Sequence, residues 1–263
     1  MRSAWRTLST SAIGTSHRRR GEVCQDYSHE LFVESEHSNA LILVCSDGAG
    51  SAPQGLAGAK LACHEFIRNA ALAIEGGLSG SAMQAEHFAS WYESARRRLA
   101  LEACLRNQDL SDFSCTLLAS IICDDFAAFS QIGDGAIVYG DGNDFKMAFW
   151  PQSGEYANTT FFLTGRHFED HLVFKSVPKK IDEVALITDG LQQVALHYAT
   201  RSAHVPFFEP IFAAMRKSPD PAELELWLRQ FLMSPRLEKQ TDDDKTLLLA
   251  TRRTVENDVG HSI

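Results

Sequence analysis

Three apolar segments of this chain stop at an Asp-Gly pair, and this repetition constrains the fold more than any other feature of the sequence. The pairs are Asp47-Gly48, Asp134-Gly135 and Asp189-Gly190, after the apolar runs 40–46, 126–132 and 184–188. A fourth carboxylate, Asp243, stands just before the apolar run 245–251. One Asp-Gly alone usually marks a turn, because glycine accepts positive φ and aspartate caps its own backbone. Four carboxylates at the ends of buried strands instead predict a shared acidic rim.

Such a rim has the chemistry of a metal site. Hard divalent cations need several oxygen ligands, and short carboxylates on rigid strand ends supply them. A glycine beside the carboxylate also lets a backbone carbonyl approach the ion. Because clustered carboxylates repel one another unless a cation neutralises them, the pattern predicts a metal cluster.

The order of the predicted elements indicates an α+β fold. Ser51 and Pro53 suit the start of a helix that runs to about Ile74. Apolar residues at spacings of three and four predict a second helix over 82–107. Strand candidates at 115–122, 126–132, 136–139, 146–150 and 161–163 are crowded enough for an antiparallel meander. Strand 184–188, helices 206–217 and 222–233, and strand 245–251 follow, so the elements are grouped and do not alternate as βαβ units.

Composition narrows the classes of function. The 263 residues carry a formal charge of -9, which argues against a nucleic-acid partner, since phosphate backbones are held by clustered Lys and Arg. The longest apolar run, Ala40 to Cys45, is far too short to cross a bilayer, so no membrane partner is expected. With no linker and no repeat, we expect one domain over 1–263.

The six cysteines indicate the compartment. They lie at irregular spacings, without a Cys-x-x-Cys pair, and several fall in apolar runs. Disulfide and zinc frameworks are therefore poor interpretations. We expect free thiols in a reducing cytoplasm.

The motifs together resemble the metal-dependent protein phosphatases of the type 2C class. Six short segments match in the order and spacing of that family, over residues 14 to 250, although each is weak alone. They are Gln25-Asp26, Asp47-Gly48-Ala49-Gly50-Ser51, Phe113-Ser114-Cys115-Thr116-Leu117-Leu118, Ile132-Gly133-Asp134-Gly135-Ala136, Ile187-Thr188-Asp189-Gly190-Leu191 and Asp243-Asp244-Lys245-Thr246. Gly14-Thr15-Ser16-His17 before Cys24-Gln25-Asp26 is similar to a bacterial branch that acts on phosphoserine and phosphothreonine.

The resemblance implies a four-layer αββα sandwich, with two mainly antiparallel sheets flanked by helix pairs. It also implies two Mn²⁺ or Mg²⁺ ions, with a third, looser ion in many bacterial members. By this likeness, Asp47 bridges the first two ions, and Asp189 and Asp243 complete the shell of the first. The Gly48 carbonyl and, through water, Asp26 serve the second, and Asp134 helps to hold the third. A hydroxide between the two ions would then attack phosphorus directly.

The chain departs from the family pattern at two positions. Many members have a phosphate-binding arginine where this chain has Gly21, so Arg20 is a candidate for that role, with Arg18 and Arg19 as alternatives, and a merely solvated basic loop is an equal interpretation. Some members have a histidine after the second Asp-Gly, where Ala49 stands here. His17 is a candidate phosphate donor or acid, although a structural role is more common for a lone histidine. Residues 141–144 or 153–158 are candidates for loops that select substrates.

The implied function is hydrolysis of phosphoserine and phosphothreonine in proteins, with targets of a Ser/Thr kinase as substrates. Two alternatives remain open at this point. One is a non-catalytic relative that keeps the fold as a binding or regulatory module. The other is a hydrolase of small phosphate esters, although Gly48-Ala49-Gly50-Ser51 lacks the continuation of a nucleotide-binding P-loop.

Overall fold

The strands and helices were located in a computed structural model, which describes residues 5–36, 38–141, 144–152, 160–218 and 220–253. These residues contain twelve strands: β1 (Arg6–Ala12), β2 (Tyr27–Val33), β3 (Ala40–Ser46), β4 (Leu117–Ile122), β5 (Ala127–Ile132), β6 (Ala136–Gly140), β7 (Phe145–Met147), β8 (Val173–Val177), β9 (Glu183–Ile187), β10 (Leu196–His197), β11 (Ser202–Ala203) and β12 (Lys245–Thr251).

The described residues also contain seven α-helices. They are α1 (Thr15–Arg20), α2 (Gly55–Glu75), α3 (Ala85–Arg106), α4 (Gln192–Ala195), α5 (Val205–Lys217), α6 (Pro221–Leu232) and α7 (Pro235–Glu238). Short 3₁₀ turns lie at Gly80–Ala82, Leu110–Phe113, Phe168–His171 and Asp189–Leu191.

The long strands form two five-stranded antiparallel sheets. One sheet has the order β1, β12, β9, β6, β7, and the other has the order β2, β3, β4, β5, β8. The pair β10 and β11 forms a separate hairpin. β5 and β6 follow each other in sequence but belong to different sheets. The predicted single meander was therefore wrong, because the chain changes sheets at Gly133–Gly135.

Three apolar cores separate four layers. Helices α2 and α3 pack on the second sheet, and α5 and α6 pack on the first. The third core lies between the sheets. Strand β3 shows the alternation that produces this arrangement: Ile42 and Val44 face the helices, whereas Leu41 and Leu43 face the other sheet. The αββα sandwich expected from the resemblance is confirmed.

The sequence located the buried elements well. Strands β3 and β12 have the predicted bounds, and α2, α3, α5 and α6 begin and end within a few residues of them. The strand predicted at 161–163 was wrong: Leu163 is buried and its amide donates to the Cys115 carbonyl, but the segment forms no strand ladder. Residues 142–143 and 153–159 lie outside the described residues, and with them most of the two predicted substrate-selecting loops.

Candidate active site

The predicted carboxylates meet in one cleft of about 890 Å³. Asp47, Asp134, Asp189 and Asp243 line it, although they come from strand ends on both sheets. Asp26 lies beneath them, buried at the start of β2. His17 and Arg20 also line the cleft.

Asp47 is held at the end of β3 by Thr116. The Asp47 amide donates to Thr116 Oγ1 at 2.9 Å, and the Thr116 amide donates to the Asp47 carbonyl at 2.8 Å. The Ser46 hydroxyl donates to the Thr116 carbonyl. These bonds continue the pairing of β3 with β4 past the end of the ladder, so the Asp47 side chain leaves the sheet from a fixed backbone.

The glycines that follow Asp134 and Asp189 let strand ends approach closely because they have no Cβ atom. Neither glycine is needed for a positive φ. A Cβ at Gly190 would lie 1.9 Å from the Asp244 carbonyl oxygen, and one at Gly135 would lie 2.6 Å from the Ile187 carbonyl oxygen. Both glycines lie outside the left-handed region, which Gly133 occupies instead with φ of 109°. The missing Cβ atoms therefore let Asp189 approach the strands that carry Asp243 and Asp134.

Asp26 is held from below by Thr188. The Thr188 hydroxyl donates to Asp26 Oδ2 at 2.7 Å and accepts the Thr246 amide at 2.9 Å. The other carboxylate oxygen, Asp26 Oδ1, is buried without a hydrogen-bond partner. An orphaned carboxylate oxygen beneath an acidic cleft is what a missing cation or water would leave.

The carboxylates raise one another's pKa values. Burial raises the pKa of Asp189 to about 8, and the charges of Asp134, Asp243 and Asp26 add to it. Burial and the charge of Asp26, followed by those of Asp189 and Asp243, raise the pKa of Asp47 well above its usual value. Each charge is therefore costly in the protein alone and would be favoured beside a cation.

The pKa of Asp26 rises for the same reasons. Burial raises it to about 7; the hydrogen bond from Thr188 lowers it and the Asp244 carboxylate raises it. Among the residues that the structure describes, no Lys, Arg or His side chain forms an ion pair with Asp26 or with the four carboxylates above it.

His17 lies against Asp244, a residue whose role the sequence did not indicate. His17 is buried, and its Nδ1 lies 2.8 Å from Asp244 Oδ2. The Asp244 carboxylate also accepts the Gly14 amide at 2.7 Å and the Gln25 amide at 2.6 Å. With Nδ1 turned to Asp244, the Nε2 atom faces Gly50 at the cleft wall, 3.3 Å from where a Cβ would stand there.

Two arginines of α1, Arg18 and Arg20, are engaged by glutamates. Arg20 Nε donates to Glu22 Oε2 at 2.8 Å, and Arg18 pairs with Glu238 at 2.9 Å. Gly21, at the position of the family arginine, ends α1 in the left-handed conformation with φ of 73°. A non-glycine residue is rarely found in this conformation, which favours glycine at the end of α1.

The donor set fits a hard divalent cation, because it consists of carboxylate oxygens with an orphaned oxygen among them. As the side chains stand, no group of three or more His, Cys, Asp or Glu in the described part of the chain could hold an ion. The carboxylates therefore have the right chemistry and converge on one cleft, but their side chains do not form a complete coordination shell.

A sequence profile described as "Protein phosphatase 2C" matches residues 13–233. The chain belongs to the protein phosphatase 2C family. The chain is also 35% identical to serine/threonine-protein phosphatase 3 of Escherichia coli K12 over 251 residues, which cover 94% of this chain and 98% of the relative.

Solved structures support the fold of this phosphatase. A crystal structure of a bacterial serine phosphatase superposes with a TM-score of 0.64 at 15% identity, covering 95% of this chain and 99% of the other. Serine/threonine phosphatase Stp1 from Staphylococcus aureus gives a TM-score of 0.59 at 13% identity, with coverage of 94% and 95%. At these identities the likeness concerns the fold alone.

Sequence reasoning missed the residues that position the acidic groups in this phosphatase. Thr116, Thr188 and Asp244 stand inside the matched motifs, but their partners are distant in sequence. Trp150 and Tyr198, which line the cleft, lie outside those motifs.

Within the described residues, no helix has the length and apolar character needed to span a membrane.

Proposed function

We propose that this chain is a metal-dependent serine/threonine protein phosphatase that uses Mn²⁺ or Mg²⁺. The observation that carries the proposal is the cleft itself, where partly buried carboxylates from two sheets meet without a cationic partner among the described residues. Such a cluster must either take up protons or bind positive charge from outside to offset the repulsion between its members. Family membership supplies the reaction class.

The proposed ligands are the predicted ones. Asp47, Asp189 and Asp243 would hold one ion. Asp47, the Gly48 carbonyl and, through water, Asp26 would hold a second. Asp134 would contribute to a third, weaker site. The raised pKa values support this assignment, because a carboxylate that is costly to ionise alone gains most from a neighbouring cation.

The bound ions supply a water activated for direct attack on phosphorus and positive charge for the phosphoryl oxygens. The chain's own residues supply the rest. Arg20 is proposed to bind the substrate phosphate, which would compete with the Glu22 carboxylate for the guanidinium. His17 is proposed to donate from Nε2, which lies 3.6 Å from Glu22 Oε2, to the phosphate or the leaving oxygen, with the Asp244 carboxylate beside Nδ1.

The proposed substrates are phosphoproteins, the targets of a Ser/Thr kinase. The cleft volume of about 890 Å³ is near the upper end of pockets for whole drug-sized ligands, which leaves room for residues beside a phosphorylated side chain. Free thiols at Cys45, Cys63, Cys115 and Cys123, all buried, support a reducing cytoplasm. Both sheets contribute to one cleft, which supports a single domain over the chain.

Hydrolysis assays test the proposal. Purified protein should release phosphate from p-nitrophenyl phosphate and from phosphothreonine peptides only when Mn²⁺ or Mg²⁺ is present. Folded protein without turnover at any metal concentration would indicate a non-catalytic binding module. A large preference for sugar phosphates over phosphopeptides would indicate a hydrolase of small phosphate esters.

A further inference from the structure

One part of the cleft wall is aromatic. Trp150 and Tyr198 both line the cleft, and their rings meet edge to face with centroids 5.3 Å apart. Tyr198 is 53% exposed, which is unusual for a large ring that packs against another. Burial raises its pKa, and the charges of Asp189 and Asp134 add to the rise, so the ring lies within electrostatic reach of the carboxylates.

The hairpin that carries Tyr198 is tied to the acidic centre. Its loop, Tyr198–Arg201, joins β10 to β11, and β11 packs against β7. The Tyr198 hydroxyl donates to Gln192 Oε1, and Gln192 Nε2 donates to the Asp134 carbonyl at 2.6 Å. Thr200 Oγ1 lies 2.7 Å from Ser202 Oγ within the hairpin. A molecule bound against this hairpin would be held at a fixed position relative to Asp134.

Arg201 is a cation without a carboxylate partner at the edge of this wall. Its guanidinium carbon lies 5.6 Å from the centroid of the Trp150 ring, and no described carboxylate forms an ion pair with it. A guanidinium on an aromatic face keeps its N–H edge available to bind a carboxylate or phosphate. Arg20, also at the cleft, is in contrast already paired with Glu22.

The backbone conformation of Arg201 also indicates that its side chain has a function. Its φ is 49°, in the left-handed region where glycine or asparagine would close the same loop at lower cost. A long charged side chain in this conformation points to a use for the side chain, since the turn alone does not require it.

We propose that Trp150, Tyr198 and Arg201 form a substrate-binding rim that selects phosphopeptides with an acidic residue beside the phosphorylated one. The inference rests on the proposed phosphatase function and extends it to the substrate sequence. The rim binds the flanking chain: the two rings pack against it and the Arg201 guanidinium pairs with its carboxylate. Of the five aspartates that line the cleft, Asp242 is exposed and is not a proposed metal ligand, so an acidic flank is favoured beside Arg201 and disfavoured beside Asp242.

Paired phosphopeptides test this preference. Phosphothreonine peptides that differ only by Glu, Ala or Lys at the neighbouring positions are compared by kcat/KM, with p-nitrophenyl phosphate as the substrate that lacks a flank. The wild-type protein should favour the best Glu peptide over its Ala counterpart about fivefold, the size of a partly exposed ion pair. Arg201→Glu should reverse the order in favour of Lys, mainly through KM, and the readout is the ratio of kcat/KM for the Glu and Lys peptides, in which a general effect on the cleft cancels.

Arg201→Gly separates the side chain from the turn. It should remove the preference while leaving thermal stability equal or higher, because glycine suits φ of 49°. Arg229→Glu and Trp227→Ala, exposed positions on α6 outside the cleft lining, are matched controls and should keep the preference.

The outcomes test the substrate-binding rim separately from the proposed phosphatase function. Equal kcat/KM for Glu, Ala and Lys peptides in wild type, or a Glu preference that survives in Arg201→Glu, would overturn the rim alone. Hydrolysis of p-nitrophenyl phosphate without hydrolysis of any phosphopeptide would overturn the protein-phosphatase proposal and the rim with it.

Discussion

The two ends of strand β9 carry acids in opposite situations. At its start, Glu183 is 1% exposed and pairs with the buried guanidinium of Arg216, while the Thr251 hydroxyl donates to it at 3.3 Å. At its other end, Asp189 enters the cleft among further carboxylates and no described basic side chain pairs with it. Burial raises the pKa of both acids, but Arg216 lowers that of Glu183 whereas Asp134 raises that of Asp189.

The difference separates a structural charge from a functional one. Glu183 is neutralised by the chain, so its end of the sandwich is complete once the chain has folded. The cleft carboxylates are left for positive charge from outside, which we propose to be Mn²⁺ or Mg²⁺. Substitutions at the two ends should therefore affect different properties, and this contrast can be tested.

The largest expected effect is loss of activity at the cleft end. Asp47→Asn or Asp243→Asn should reduce metal-dependent turnover by more than about a hundredfold, since substitutions of residues that only orient metal ligands already cost ~10- to 100-fold. Thermal stability of the metal-free protein should stay equal or rise, because one repelling charge is removed. Turnover near the wild-type value in either variant would contradict the ligand assignment.

The opposite result is expected at the other end of β9. Arg216→Met leaves Glu183 buried without its main partner and should lower the free energy of unfolding by about 3 kcal/mol. Activity per folded molecule, measured with p-nitrophenyl phosphate and Mn²⁺ below the unfolding temperature, should stay close to wild type. Glu183→Leu combined with Arg216→Met should recover much of the stability. Loss of activity without loss of stability would reverse the proposed roles of the two ends.

A smaller effect is expected from Thr188, between β9 and the cleft. Thr188→Val removes the hydroxyl that donates to Asp26 Oδ2. We expect the metal concentration for half-maximal activity to rise about tenfold. Thr188→Ser keeps the hydroxyl and should behave as wild type. Equal metal dependence in the two variants would show that Thr188 does not orient Asp26.

The sequence predicted the elements and residues whose signals are local. Strands β3 and β12 have continuous apolar residues, and the aspartates stand directly at strand ends. The sequence analysis did not predict the edge strands β1 and β2. Each pairs with a single neighbouring strand, and the hydrogen bonds that stabilise it leave no continuous apolar run in the sequence. Asp244 was assigned no role for a similar reason: its partners, His17, Gly14 and Gln25, are brought to it only by the fold.

The smallest effect concerns stability and pH in the metal-free protein. The pKa values of Asp26 and Asp189 rise from 3.8 to about 7 and about 8, so between these limits the folded state binds more protons than the unfolded state. Stability is therefore full at low pH and falls as pH rises through this window. Calorimetry should show a lower melting temperature at about pH 8.5 than at about pH 5.5.

Two controls sharpen this prediction. Mn²⁺ should reduce the fall, because a cation favours the ionised carboxylates, and Asp189→Asn should reduce it without metal. A metal-free melting temperature that rises between these pH values would contradict the account of the cleft.

Calorimetric titration of metal-free protein with Mn²⁺ tests the central claim most directly. We predict uptake of roughly two ions per chain by the wild-type protein, as in other two-metal sites. Asp47→Asn should lose at least one of them, and Arg216→Met should keep both. No uptake by folded wild-type protein, or equal uptake by Asp47→Asn, would contradict the claim that these carboxylates converge to bind cations.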